Sequence, residues 1–388
     1  MAMLAEPEPD LLSRVEELAS TGSRVLAVAS GLKGRLSVQG LIALADTPRE
    51  DASSLVKSLQ SLGVRILMVS GDAPTTARTI ARKVGLGDHF GDMQEAQTDP
   101  SLYDGFAGLF PEDKLHLVEA LQSSGRVVGM TGDGVNDAPA LKRADVGIAV
   151  STASDVAKAS AQAVLTHPGL QGIVAIISSG RRVYRRMLTW TITKITRTVE
   201  LAALLTIGYI ATGIFVTPLV LIAVIIVLND IVTITLATDD AWISPVPENW
   251  NIKEIAKIAG MLAAGWLVLA FGILWVAWNV LMLSVPEIQT LMFVYLMYSA
   301  QATIYLTRVR DHLWSFAPSR YVAAATIGNV LIASVLAYWG VLTAPVSGVL
   351  LVGMLSLVIV AAILLDQIKL WFFHSTQILG PSVRTSVH

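Results

Sequence analysis

Apolar and polar positions follow one rhythm in the first half of this chain and another in the second. In the first half, short apolar runs of strand type lie at 24–29, 41–45, 64–69, 126–131 and 146–150, separated by stretches with helical spacing. Thr47 offers an N-cap with Pro48 at the first helical position, which opens an amphipathic helix to about Leu62, closed by Gly63. Further helices are predicted over 74–84, 112–123 and, briefly, 137–144. Strand–helix alternation of this kind predicts a parallel, Rossmann-like α/β sheet, with its chemistry at the carboxyl ends of the strands. Two turns rich in Gly and Asp, 70–72 and 132–134, fall at such ends.

The second half has six apolar stretches of membrane-spanning length, about 188–212, 216–238, 256–283, 287–306, 322–340 and 346–368. Charge follows the same division: 40 Asp, Glu, Lys and Arg residues lie in 1–186 and 18 in 187–388, which reads as a soluble part followed by a membrane part. The basic residues also orient the spans. Arg181, Arg182, Arg185 and Arg186 precede the first, Lys253 and Lys257 precede the third, and Arg308, Arg310 and Arg320 lie between the fourth and fifth. The alternate turns, near 211–217 and 284–286, carry no basic residue. By the positive-inside rule this predicts three outward hairpins in a multi-pass protein with both termini cytosolic. A formal net charge of −2 gives no reason to expect nucleic acid as a partner. With no cysteine there is neither a disulfide nor a thiolate metal site. Glu6, Glu8 and Asp10 stand where a secretory signal would be basic and then apolar.

The densest chemical signal is the run from Met130 to Asp145, Met-Thr-Gly-Asp-Gly-Val-Asn-Asp-Ala-Pro-Ala-Leu-Lys-Arg-Ala-Asp. It sets Asp133, Asn136 and Asp137 on a glycine-rich turn between a strand end and a helix start. Carboxylate oxygens there suit Mg²⁺, which takes one or two carboxylates together with waters and phosphate oxygens. The Asn136 amide and the helix N-terminus can face a phosphoryl group.

This run resembles the hinge motif of P-type ATPases, cation pumps whose phosphorylation domain is haloacid-dehalogenase-like. Further blocks follow the family order. The stretch Asp46-Thr-Pro-Arg49 resembles the nucleotide-contacting Asp-Pro-Pro-Arg block, with Thr47 replacing a proline, and implies ATP contact by Asp46 and Arg49. Met68-Val-Ser-Gly-Asp72 resembles the hydroxyl-Gly-Asp motif, with Ser70 where threonine is usual, and implies that Ser70, Gly71 and Asp72 hold the phosphoryl group. Pro111-Glu-Asp-Lys114 supplies the phosphate-neutralising Lys114. The resemblance implies Asp133 and Asp137 as Mg²⁺ ligands, Asn136 beside them, and ATP as substrate. It covers nearly all of this chain but only the C-terminal part of the family. The nucleophilic Asp-Lys-Thr-Gly-Thr motif, most of the nucleotide domain, the actuator loop and the first four membrane helices have no counterpart. Residues 1–30 resemble the end of the nucleotide domain, 31–180 the phosphorylation domain, and 181–388 the membrane domain.

Ionisable residues within spans are costly and mark candidate function. The first span holds Lys194, Arg197 and Glu200, and the second holds Asp230. At 1.5 Å per residue, Arg197 lies roughly 10 Å below Trp190 and Asp230 roughly 18 Å from Pro218, so a facing Asp–Arg pair is geometrically feasible. The block Val227-Leu-Asn-Asp230, with Thr235-Leu-Ala-Thr-Asp239, resembles the sixth helix of plasma-membrane proton pumps. That resemblance implies Asp230 as proton carrier and Arg197 as the group that helps expel the proton. The physics agrees: a carboxyl in apolar surroundings holds its proton nearer neutral pH, and a guanidinium close by favours release. Gln301 and Asn329 read as interhelical hydrogen-bonding groups.

The expected whole is thus the C-terminal portion of a plasma-membrane pump that exports protons at the expense of ATP. Its partners are protons, membrane lipid and the missing N-terminal portion, and the chain alone is expected to form no phosphoenzyme. Two alternatives stay open: a catalytically silent membrane subunit or split-gene relic, and a pump for another cation such as Mg²⁺.

Overall fold

The computed structural model describes residues 10–20, 23–32, 35–45, 48–248 and 250–375, and divides into two compact units, Met1–Ile177 and Ser178–His388. In the first unit α1 (Leu11–Ser20) is followed by β1 (Ser23–Leu32) and β2 (Arg35–Ala45), then α2 (Ala52–Ser61), β3 (Met68–Val69) and α3 (Pro74–Val84). Next come β4 (Phe90–Gly91), α4 (Met93–Thr98), β5 (Gly105–Phe106) and α5 (Pro111–Ser123). The unit continues with β6 (Gly129–Gly132), α6 (Ala138–Arg143), β7 (Val146–Ala149), α7 (Asp155–Ser160) and β8 (Ala163–Val164).

The expected parallel sheet is present as two three-stranded pieces, β3-β5-β4 and β6-β7-β8, parallel throughout. The first two predicted strands do not join them. β1 and β2 pair antiparallel, with a bulge at Val28/Ala29. The reason is length: both strands run further than their apolar stretches, leaving a link too short for the crossover that parallel strands need. The helix expected from Pro48 starts instead at Ala52, after an Asp51 N-cap, while α3 keeps its predicted bounds and ends on Gly85 at φ 84°. Thr47 lies outside the described residues. Phe106, Leu109 and Leu117 bury the first sheet piece against α5, and Leu141, Ala149, Ala153 and Ala157 bury the second against α6 and α7.

The membrane part contains α8 (Gln171–Thr212), α9 (Leu219–Thr235, prolonged by a 3₁₀ turn to Thr238), α10 (Ile252–Asn279), α11 (Val285–Arg308), α12 (Arg320–Trp339) and α13 (Gly348–Ser375). All six expected spans are helices. At 42 residues, α8 is about 63 Å long, twice the thickness of a bilayer core. Five of the six, all but α11, are long and apolar enough to cross a membrane. The exception has a physical cause. From Ile288 to Arg308 almost every residue of α11 is buried, packed by α9, α10, α12 and α13. A helix shielded by protein on every side has no lipid-facing surface, and it can carry Tyr295, Tyr298, Gln301, Thr303 and Thr307 inward.

Candidate functional site

In the first unit the predicted phosphate-handling residues gather at the carboxyl ends of β3 and β6. The Ser70 hydroxyl donates to Asp72 Oδ2 at 2.8 Å and accepts the Asp72 N–H at 3.1 Å, making a closed turn at Gly71. The turn is held from behind by Leu109 N–H on Ser70 O (3.2 Å) and Gly108 N–H on Asp72 O (2.8 Å). At the second turn Asp137 is buried at 7% exposure. Its Oδ2 accepts the backbone N–H groups of Asp133 (3.3 Å) and Gly134 (3.2 Å), and its Oδ1 accepts Lys114 Nζ at 2.7 Å. Lys114 lies in the first turn of α5, where Pro111 starts the helix and Asp113 accepts the Phe110 N–H at 2.8 Å. Gly132 is required by closeness: a Cβ there would lie 2.6 Å from Asp137 Cβ. Asp133 and Asn136 are exposed.

Two carboxylates, one pinned and one open, form a hard-oxygen donor set. Among the described residues no third His, Cys, Asp or Glu joins them. Such a set fits Mg²⁺, which keeps waters and takes phosphate oxygens for its remaining positions, better than it fits a metal needing a full protein cage. No hydrogen bond or ion pair joins the Ser70–Asp72 turn to the Lys114–Asp137 pair. Arg49 is exposed and paired with Asp51 at 3.1 Å, and Asp46 lies outside the described residues.

In the second unit a cavity of about 170 Å³ opens between α8, α9 and α11, lined by Thr193, Lys194, Arg197, Asn229, Asp230 and Thr233 among others. The facing Asp230–Arg197 pair that the depths allow is not formed. Asp230 is paired with Lys194, and both side chains remain partly exposed to the cavity. Arg197 turns to Glu200, which is fully buried, and donates also to Ser299 Oγ and Leu296 O, each at 2.8 Å. The Tyr295 hydroxyl completes that network, 3.0 Å from Glu200 Oε1 and 2.6 Å from Trp266 O. The reason for the exchange is local. Glu200 stands three residues beyond Arg197 on the same helix, one turn away, and captures the guanidinium before α9 can.

Three of the four arginines expected to set topology also carry structure. Arg181 donates to Ser244 O at 2.8 Å, Arg185 pairs with Glu248, and Arg186 Nε donates to Asp239 O at 2.8 Å, so α8 holds the segment that follows α9. Burial pushes the Glu248 carboxyl above its ordinary value, against the opposing pull of Arg185 and Arg181. Asp239 in turn receives Arg308 at both oxygens, 2.6 and 3.0 Å, in a pair hidden from solvent.

Comparison with known proteins gives the family. Two family models described as haloacid dehalogenase-like hydrolase match residues 2–145 and 115–177. A protein of Methanocaldococcus jannaschii named as a cation-transporting ATPase is 37% identical over 386 residues, 95% of this chain and 48% of that protein. Plasma membrane ATPases 2 and 1 of Saccharomyces cerevisiae are each 33% identical over 349 residues, 84% of this chain and 36% and 38% of their own lengths. The chain belongs to the P-type ATPases. It corresponds to the C-terminal portion of such a protein and spans about half the length, or less, of these relatives.

In this P-type ATPase portion Ser70, Gly71 and Asp72 form one turn at a strand end and Asp133, Asn136 and Asp137 lie at another, with Lys114 paired to Asp137 from α5. What the motifs missed is Lys194 as the partner of Asp230 and Glu200 as the partner of Arg197. The signal was available in the spacing. Lys194, Arg197 and Glu200 recur every three residues, and such positions lie near one another on a helix.

Proposed function

We propose that this chain is the phosphoryl-handling and ion-carrying portion of an ATP-driven pump that exports protons across the cell membrane, with both termini in the cytosol. The observation that carries the proposal is the membrane cavity. It offers a carrier carboxylate, Asp230, set against a built-in cation, Lys194. A single carboxylate already matched by a lysine suits a proton, which needs one basic atom. It suits poorly a divalent metal ion, which needs several oxygens and must displace the ammonium.

In the soluble unit Asp133 and Asp137 are the groups that would hold Mg²⁺, whose charge is set against the phosphate oxygens of the substrate. Lys114 is positioned by Asp137 and brings a second positive charge to the same turn. The Ser70 hydroxyl and the neighbouring backbone orient the transferred group, and Arg49 with Asp46 would contact the nucleotide. The nucleophilic aspartate belongs to a segment outside this sequence, which contains no Asp-Lys-Thr-Gly-Thr. Phosphorylation there and dephosphorylation would alternate access to Asp230.

The test is Asp230→Asn in a complete pump carrying this portion, reconstituted in liposomes with a pH-sensitive dye and, in parallel, a Mg²⁺ flux assay. Loss of ATP-driven proton movement is expected. Proton transport at the unaltered rate, or ATP-driven Mg²⁺ movement instead, would overturn the proposal.

A further inference from the structure

Behind the Asp230 cavity lies a polar cluster on α9, α11 and α12. Asn229 Oδ1 accepts two amide donors, Gln301 Nε2 at 2.9 Å and Asn329 Nδ2 at 3.2 Å. Each donor amide has its own oxygen one carboxamide width away, and both Gln301 Oε1 and Asn329 Oδ1 are buried without a hydrogen-bond partner. One turn before Asn329, on the same face of α12, Thr326 Oγ1 is likewise buried and unpartnered. Gln301 and Asn329 are each 4% exposed and Thr326 is 8% exposed. Asn329 stands about 14 Å along α12 from its start and Asn229 about 15 Å along α9, near the middle of a ~30 Å hydrocarbon core.

Unpaired buried oxygens are expensive, and two at one interhelical contact, with a third one turn along α12, point to a shared guest. The chemistry of the guest follows from the atoms. Two carboxamide oxygens only accept, whereas a threonine hydroxyl can donate or accept. A water molecule donates twice and accepts once or more, so it completes all three groups. No carboxylate belongs to the cluster, and three neutral oxygens fall short of what a dehydrated metal ion requires.

We propose that Gln301, Asn329 and Thr326 form a binding site for a single internal water, held against Asn229 between α9, α11 and α12. Asn229 is shared between this site and the cavity, and its neighbour in the chain is Asp230. Resting on the proton-carrier reading of Asp230, the site adds a hydrated polar step beside the carboxyl. Its existence is tested without any transport assay, so it stands or falls apart from the choice of ion.

The decisive substitution is Thr326→Val in the full chain held in lipid nanodiscs, followed by thermal unfolding. If the hydroxyl has no partner, a methyl of the same shape relieves a buried polar cost and raises the midpoint or leaves it unchanged. If the hydroxyl binds the water, the midpoint falls by about 2–4 °C. Asn329→Leu then adds less than its separate effect, because one guest serves both residues. Exchange of Na⁺ or K⁺ for choline at constant ionic strength is expected to leave the midpoint unmoved, and a rise specific to one alkali ion would overturn the assignment to water. Water-edited NMR of the unsubstituted chain provides a readout independent of variant folding. Magnetisation transfer from long-lived water to the Gln301 and Asn329 side chains is expected, and its absence overturns the site.

Discussion

Lys194 and Arg197 stand one turn apart on α8, yet they answer to different carboxylates, so their replacements should diverge. In a complete pump, Lys194→Met is expected to reduce proton transport tenfold or more while the protein still folds, since Asp230 remains in contact with the cavity. Arg197→Met leaves the buried Glu200 without its cation, at a cost of about 3–5 kcal/mol, and should reduce the yield of folded protein before transport is measured. Paired transport and thermal-unfolding assays separate the two. At the soluble site, Gly132→Ala places a methyl against the pinned Asp137 side chain, and a loss of about 1–3 kcal/mol is expected in denaturant unfolding. Asp145 offers a pH test. The Val128 N–H on its Oδ2 at 2.8 Å is the main cause that holds this carboxyl below its ordinary 3.8, so the fold favours the ionised form. The resulting stabilisation is complete above that ordinary value and disappears as pH falls through the lowered one. Thermal midpoints measured between pH 6 and pH 3 should therefore fall less steeply for Asp145→Asn than for the unaltered chain.

Among the elements, helices were easier to foresee than strands. A helix announces itself through a face and a cap within one stretch of sequence, as α3 does with Pro74 and Gly85, and its bounds come out as expected. Strands β4, β5 and β8 have two residues each, too few for any alternation to register, and went unforeseen. Pairing is harder still, because it depends on the link and not on the strand, as the antiparallel β1–β2 pair shows. The candidate site divides the same way. Local turns such as 70–72 and 132–137 were legible because their chemistry is contiguous, whereas Lys114–Asp137 and Lys194–Asp230 join positions 23 and 36 residues apart. The buried Arg308–Asp239 clasp is an element-scale prediction of its own. It ties the end of α11 to the turn after α9, and Ser319 N–H at the start of α12 also donates to Asp239, at 3.0 Å. Arg308→Met should destabilise the membrane part by about 3–5 kcal/mol, seen as a lower unfolding midpoint in detergent.

At the scale of the whole molecule, the proposed pumping divides between the two units, with the Ser70–Asp72 and Asp133–Asp137 turns in the first and the charged cavity in the second. The chain alone is expected to incorporate no acid-stable phosphate from labelled ATP. Supplying a polypeptide with the Asp-Lys-Thr-Gly-Thr segment should restore incorporation, dependent on Asp133 and Asp137; labelling of the chain by itself would contradict the assignment.

The buried helix α11 also bears on a matter of parity. Among the described residues five helices are long and apolar enough to cross a membrane, an odd number, which would leave the two ends of the membrane part on opposite faces. Under the proposed topology α11 crosses as well, the passes are even, and the chain returns to the side from which it entered. A fluorescent reporter fused at the C-terminus should therefore mature in the cytosol, while an alkaline phosphatase fusion at the same position stays inactive. Under that topology a single helix, hidden from lipid by its neighbours, decides which compartment receives the end of the polypeptide.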